Sequence, residues 1–268
     1  MNISITGNLG SGKTSICKEL EAMGFPIISV GAIFRDIAKE RGISVIELNE
    51  QAKTDRSIDD MLDMRSAKLG RELDRVVFDS RMAWHFVPDS FKVFVMTKTD
   101  ETARRVFSGE NRRSESYESE EDALRGLEER AELERQRFRD LYHVDYYDSS
   151  NYNLVIDSTK AAPRELAEEI LKNFEEYEKE AFGTRLLMCR EEMVETAAPI
   201  GNEIHSDGRN YYIGSASEEL KRAKEENSPF VRLESLRFEE NLSREDFPDV
   251  RKSGYFLDIH KLAAMKEE

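Results

Sequence analysis

Residues 7–14 read Gly-Asn-Leu-Gly-Ser-Gly-Lys-Thr, directly behind the apolar run Ile3-Ser4-Ile5-Thr6. A G-x-x-x-x-G-K-[ST] loop with a strand before it and a helical segment after it commits the chain to a buried strand. The carboxyl end of that strand must face the N-terminus of the next helix. Gly7, Gly10 and Gly12 keep side chains away from backbone N–H groups that approach an anion, and they permit turns closed to other residues. The helix beginning near Lys13 points its positive end at the same place. Lys13 adds a charge for terminal phosphates, and the Thr14 hydroxyl is the expected Mg²⁺ ligand. With Ser11 and Ser15, these residues form the expected cradle for a nucleoside triphosphate.

Behind the loop, short apolar runs alternate with segments of helical period, the sequence habit of a parallel α/β sheet. Strands are expected at residues 2–6, 26–30, 76–80, 91–97 and 153–157. Helices are expected at 13–23, closed by Gly24, and at 32–40, closed by Gly42. Two more span 44–53 and 57–69, with Ser44 and Ser57 as N-caps. A long helix covers about 119–142, and another starts after Pro163 and runs through Glu165 to about 181. Gly183 interrupts the pattern. The rest reads as a small α+β appendage over 183–268, distinct from a first domain over 1–182. It holds a helix-like stretch at 186–196, then an Asp207-Gly208 hairpin turn between 203–204 and 211–213. A charged helix at 217–226 and strands at 230–238 and 254–259 follow.

Three arginine-bearing clusters accompany the loop. Ser29-Val30-Gly31-Ala32-Ile33-Phe34-Arg35 stands at the end of the second strand. Ligands of open α/β sheets collect outside the carboxyl ends of strands, so Arg35 can offer its fork to an acceptor phosphate; an ordinary surface arginine is the alternative. Val76-Val77-Phe78-Asp79-Ser80-Arg81 ends a buried strand in an acid that suits a Mg²⁺ shell, with a turn cap as the competing role for Asp79. Arg81 is directed at the same crevice. On the long helix, Leu124, Leu127, Ala131, Phe138 and Leu141 form a core-facing stripe that Glu134 interrupts. A carboxylate there needs a partner. Arg130 and Arg137 are spaced to supply one; an exposed charge ladder is the alternative. Arg104, Arg105, Arg112 and Arg113 surround Gly109 in a segment that reads as a lid over about 104–118. Trp84 and Phe86 belong either to the core or to a base pocket.

Taken together, these residues resemble the cytidylate kinase family in its short archaeal and bacterial form, from Met1 to about Tyr177. The resemblance rests on Gly7-x-x-Gly10-x-Gly12-Lys13-Thr14, Ser29-x-Gly31-x-x-Phe34-Arg35, Asp79-Ser80-Arg81 and Arg130-x-x-x-Glu134-x-x-Arg137. Tyr142-His143-Val144-Asp145 and Tyr152-Asn153-Leu154-Val155-Ile156-Asp157 complete it. It implies a P-loop nucleoside monophosphate kinase fold with a five-stranded parallel sheet, a monophosphate-binding insertion at about 37–73 and the lid. By matched position, Lys13, Arg81, Arg130 and Arg137 would be catalytic. Ser29, Gly31, Phe34, Arg35, Asp79, Arg81, Glu134 and Arg137 would bind the acceptor, and Thr14 and Asp79 the metal. Residues 159–163 would border the donor adenine. In the longer bacterial form an acid that reads cytosine follows the arginine matched by Arg81; here Met82 stands there. The segment from Gly183 has no counterpart in the short form.

The expected reaction is Mg²⁺-dependent transfer of the ATP γ-phosphoryl group to CMP or dCMP. It needs no general base, because the nucleophile is already a phosphate oxygen. A kinase of the same fold acting on another monophosphate or small metabolite remains open. So does a non-catalytic nucleotide-binding module that regulates the appendage, whose protein partner the sequence does not name. The net charge of -15 argues against nucleic acid or an anionic membrane as partner, so local arginines and amides must hold the substrate. Cys17 and Cys189 match no metal or redox spacing and read as free thiols. No run approaches a membrane span, and no signal peptide precedes the first strand, so the cytoplasm is the expected compartment.

Overall fold

The computed structural model describes residues 1–52, 54–108, 117–197, 204–206, 211–233 and 236–238. β1 (Ile3–Gly7) is buried along its whole length and delivers the chain into the glycine-rich loop and α1 (Lys13–Ala22). Gly24, at φ 97°, turns the chain into β2 (Ile27–Ser29). α2 (Val30–Arg41) starts earlier than its apolar period suggests, because the Ser29 hydroxyl accepts from Ala32 N at 3.1 Å. Before α3 (Val45–Ala52), Ser44 and Glu47 form a reciprocal cap: Glu47 N donates to Ser44 Oγ (3.1 Å) and Ser44 N to Glu47 Oε2 (2.7 Å). α4 (Ser57–Glu72) departs from expectation. Ser57 is its first residue, and the Ser57 amide donates to Asp55 Oδ1 at 2.9 Å, so Asp55 does the side-chain work expected of Ser57.

β3 (Val77–Asp79), the short α5 (Ala83–Phe86), β4 (Phe91–Met96) and α6 (Thr99–Phe107) follow. Then come α7 (Glu120–Tyr142), β5 (Leu154–Asp157) and α8 (Pro163–Lys179). The five expected strands pair in parallel in the order β5-β4-β1-β3-β2. One apolar layer, with Ile16, Leu20, Phe25, Leu166 and Phe174, packs under α1 and α8. The other face carries Trp84, Phe94, Tyr146, Tyr147 and Tyr152. α2, α3 and α4 close on a small core of their own around Ile33, Ile37, Leu48, Ile58 and Leu62.

The C-terminal segment corrects two expectations. It contains β6 (Arg185–Cys189), a 3₁₀ turn at Arg190–Glu192, β7 (Met193–Thr196), β8 (Ile204–Ser206) and β9 (Tyr211–Gly214). α9 (Glu218–Glu225), β10 (Phe230–Leu233) and β11 (Leu236–Phe238) complete it. Residues 186–196 are therefore strand, turn and strand, not helix. Leu187 packs into the α8 layer while Leu186 and Met188 enter the opposite one. A strand buried on both faces reads as a continuous apolar run, in which helical and strand periods look alike. The main sheet is also larger than the five strands expected. β6 joins β5 in parallel and β10 joins β6 antiparallel, giving β10-β6-β5-β4-β1-β3-β2. β7, β8, β9 and β11 form a second sheet in the order β11-β8-β9-β7. Its β8 and β9 pair antiparallel, Ile204 opposite Ile213, as the Asp207-Gly208 turn suggests, although the turn itself lies outside the described residues. The expected strand at 254–259 lies outside them too.

Candidate functional site

The loop after β1 is shaped by close approach. A Cβ on Gly7 would lie 2.1 Å from Val95 O, and one on Gly10, at φ 73°, would lie 2.5 Å from Thr102 Cγ2. Asn8 pins the loop to β4: its Nδ2 donates to Thr97 O (2.9 Å) and its Oδ1 accepts from Thr97 N (3.0 Å). Gly12, at φ 85°, caps α1 without a side chain. Among the described residues the amides of Gly10, Gly12, Lys13 and Thr14 have no protein acceptor, and Thr14 and Ser15 are exposed. A cradle of unused N–H donors at a helix N-terminus fits a polyphosphate, and the exposed Thr14 hydroxyl fits a hard cation beside it.

Lys13, Asp79, Arg81 and Glu134 converge behind the loop. Lys13 Nζ lies 3.1 Å from Asp79 Oδ1. Burial first, and then the Arg81 charge, push its pKa below the ordinary lysine value, against the pull of Asp79. Arg81 leaves the end of β3 and donates through Nη1 to Gly7 O. Its Nε pairs with Glu134 Oε1 on α7 at 2.6 Å. Burial works against the Arg81 charge, but Glu134 and its neighbours outweigh it and raise the pKa. The carboxylate that interrupts the α7 stripe thus has its partner across the crevice, in Arg81. Arg137 is not that partner. It is exposed and forks onto Asp59 of α4 at 2.8 and 3.0 Å.

The remaining expected residues are spread along α2 and α7. Ser29 caps α2, Phe34 packs against the small core of the insertion, and Gly31 is exposed. Arg35 is exposed and has no ion pair among the described residues; Arg130 is exposed on α7. Trp84 is buried against Tyr152, with ring centroids 5.6 Å apart, and so belongs to the core.

Sequence reasoning missed several groups. It marked 104–118 as a lid without separating its arginines. Arg104 is exposed and forks onto Glu101, both contacts at 2.8 Å. Arg105 also pairs with Glu101, through Nε at 2.7 Å, and donates to Ser158 O (2.6 Å) and Thr159 O (3.0 Å) beside the phosphate loop. The Glu101/Arg105 spacing of four was the available signal. Residues 109–116, with Arg112 and Arg113, lie outside the described residues. Asp63 on α4 accepts from the Tyr142 hydroxyl at 2.8 Å, and burial pushes its pKa up to about 6. Asp63 carries no motif, and the Tyr142-His143-Val144-Asp145 run does not say which carboxylate meets the Tyr142 hydroxyl.

The family model described as cytidylate kinase-like matches residues 2–160. The cytidylate kinase of Methanocella arvoryzae is 34% identical over 180 residues, covering 67% of this chain and 99% of its own. That of Haloarcula marismortui is 32% identical over 180 residues, covering 66% and 91%. An uncharacterised protein from Eubacterium ventriosum, 19% identical, has a TM-score of 0.51 over 65% of this chain and 98% of that one, a likeness of fold alone. The family match takes in the phosphate loop, Asp79, Arg81 and all of α7, and the chain belongs to the cytidylate kinase-like family.

Proposed function

We propose that this protein catalyses Mg²⁺-dependent transfer of the γ-phosphoryl group of ATP to CMP or dCMP. Family membership makes it a nucleoside monophosphate kinase. The observation that carries the fuller reading is Arg81, which spans from the carbonyl of Gly7 to the carboxylate of Glu134. A guanidinium so held stands between the loop that takes the donor and the β3 side that takes the acceptor. Its charge needs no rearrangement to meet a transferring phosphoryl group.

In this reading the amides of Gly10, Gly12, Lys13 and Thr14, together with Lys13 Nζ, hold the donor phosphates. Mg²⁺, held by Thr14 and through water by Asp79, would neutralise phosphate charge. Arg35 would reach the acceptor phosphate from α2, and Arg130 and Arg137 would close on it from α7. Arg137 must leave Asp59 to do so. Ser29, Gly31 and Phe34 shape the acceptor side by fixing the start of α2. Met82 removes the cytosine-reading acid of the longer form, so selectivity must come from other contacts. No helix among the described residues is long and apolar enough to cross a membrane. We place the reaction in the cytoplasm.

Turnover of CMP, dCMP, UMP and AMP with Mg-ATP tests this reading. CMP or dCMP is the expected preferred acceptor. Rapid phosphorylation of AMP, or of a non-nucleotide, with none of CMP would overturn it.

A further inference from the structure

The C-terminal segment reaches back onto the carboxyl ends of β4 and β5. Glu192, in the 3₁₀ turn between β6 and β7, is 15% exposed and pairs with Lys98, itself 16% exposed. Its other oxygen lies 3.8 Å from Lys160 Nζ. Lys98 links β4 to α6, and its amide donates to Thr159 Oγ1 at 3.1 Å. Its ammonium group sits 5.3 Å from the ring centroid of Tyr211 on β9. Beneath this pair, Asp157 is fully buried. One of its oxygens accepts from Thr159 N (2.9 Å) and Thr159 Oγ1 (2.5 Å), and the other from Cys189 N (3.3 Å). Residues 158–160 are thus held by the C-terminal segment on one side. On the other, Ser158 Oγ donates to Ser11 O at 2.8 Å and Arg105 grips the carbonyls of residues 158 and 159.

The strand order says which ligand passes here. The phosphate loop leaves β1, and Asp79 and Arg81 lie on the β3 side of it. A donor with its phosphates in the loop and its γ-phosphate towards Arg81 must carry its nucleoside the other way, over β4 and β5 and across residues 158–160. We infer that Glu192 is a positioning residue for the donor nucleotide, acting through Lys98 and Lys160 to fix the 158–160 loop. The C-terminal segment thereby completes the donor site. This inference rests on the kinase reading above.

The full-length chain carrying Glu192→Gln, with Glu192→Asp beside it, tests the inference. Removing the carboxylate leaves Lys98 buried without its partner, so the loop loses its tether. Glu192→Gln should weaken binding of a non-hydrolysable ATP analogue, measured by calorimetry, roughly five- to tenfold, and raise KM for ATP in parallel. KM for CMP should stay within about a factor of two of wild type, and Glu192→Asp should recover part of the loss. Lys160→Ala removes an exposed partner and keeps the fold, so it should show a smaller change of the same sign. Unchanged analogue affinity with a lowered unfolding midpoint would make Glu192 merely structural and overturn the inference. Equal weakening of ATP and CMP would overturn it too. If wild type fails to phosphorylate CMP while Glu192→Gln still loses analogue affinity, the acceptor assignment fails and the inference stands.

Discussion

Lys13 is held under opposing demands. Burial and the neighbouring Arg81 disfavour its charge, and Asp79 at 3.1 Å supports it. A triphosphate in the loop would relieve that opposition, so most of the worth of Lys13 belongs to the bound state. Lys13→Met should lower kcat by about 10²–10³ while circular dichroism stays native, and near-normal turnover would remove it from the site. Asp63 offers a test by pH. Burial raises its folded pKa from 3.8 to about 6, so the folded chain holds this proton more tightly than the unfolded one. Its contribution is most favourable below the unfolded value, is lost as pH rises through about 6, and stays lost above. Asp63→Asn keeps an acceptor for Tyr142. It should raise the unfolding free energy at pH 7.5 by about 1 kcal/mol after solvent screening, with no gain near pH 4. Urea melts at the two pH values decide. At this scale the sequence was most legible where chemistry is local: Gly7 to Thr14 holds its glycines, lysine and hydroxyl in one unbroken run. The Arg81–Glu134 pair was half legible. The break in the α7 stripe announces that Glu134 needs a partner, but a contact across the crevice leaves no spacing to read.

α7 shows how one helix joins three parts of the molecule. Its first turn is set by Ser119, whose hydroxyl accepts from Asp122 N at 3.1 Å. Midway, Glu134 takes Arg81, and one turn later Arg137 takes Asp59 of α4. Arg135, buried between them, is fastened to Asp145 beyond the helix end, with Nη2 to Oδ2 at 2.7 Å, and Arg139 joins the same carboxylate at 2.6 Å. Arg135→Ala should cost about 3 kcal/mol of unfolding free energy because it strips a buried pair, and the half-exposed Arg139→Ala less than about 1 kcal/mol. Equal losses in chemical denaturation would contradict the burial argument. The contact between α4 and α7 makes a functional prediction as well. Asp59→Asn frees Arg137 from its competitor, so KM for CMP should fall a few-fold with kcat little changed; a rise in KM would mean that Asp59 aligns the acceptor. Elements with one buried face, such as α1, α7 and α8, were readable from their period and caps. β6 was not, because both of its faces are buried.

The whole molecule is knitted more closely than its composition suggests. The C-terminal segment enters the main sheet with β6, leaves it for β7 to β9, returns with β10 and leaves again with β11. The boundary expected at Gly183 therefore falls inside the main sheet, between β5 and β6. A chain stopped after residue 182 would lose the β5–β6 register of Leu154 with Arg185, Val155 with Leu186 and Ile156 with Leu187. The backbone donors and acceptors of β5 would then stand open to other chains. Such a chain should unfold at lower temperature than the full one and self-associate in sedimentation velocity. A monomer of equal stability would show that β5 tolerates being an edge.

The antiparallel seat of β10 on β6 has a consequence for synthesis. Phe230 to Leu233 lie far along the chain from Leu186 to Cys189, their partners. While the protein is being made, the phosphate loop and its arginines leave the ribosome early, but the sheet that supports them has an unfinished margin until β10 emerges. Residues 158–160, which Cys189 and Glu192 help to hold, therefore take their final setting late. A nascent chain of this protein should gain its full affinity for nucleotide only once β10 has emerged, as nucleotide binding by stalled chains of increasing length would show.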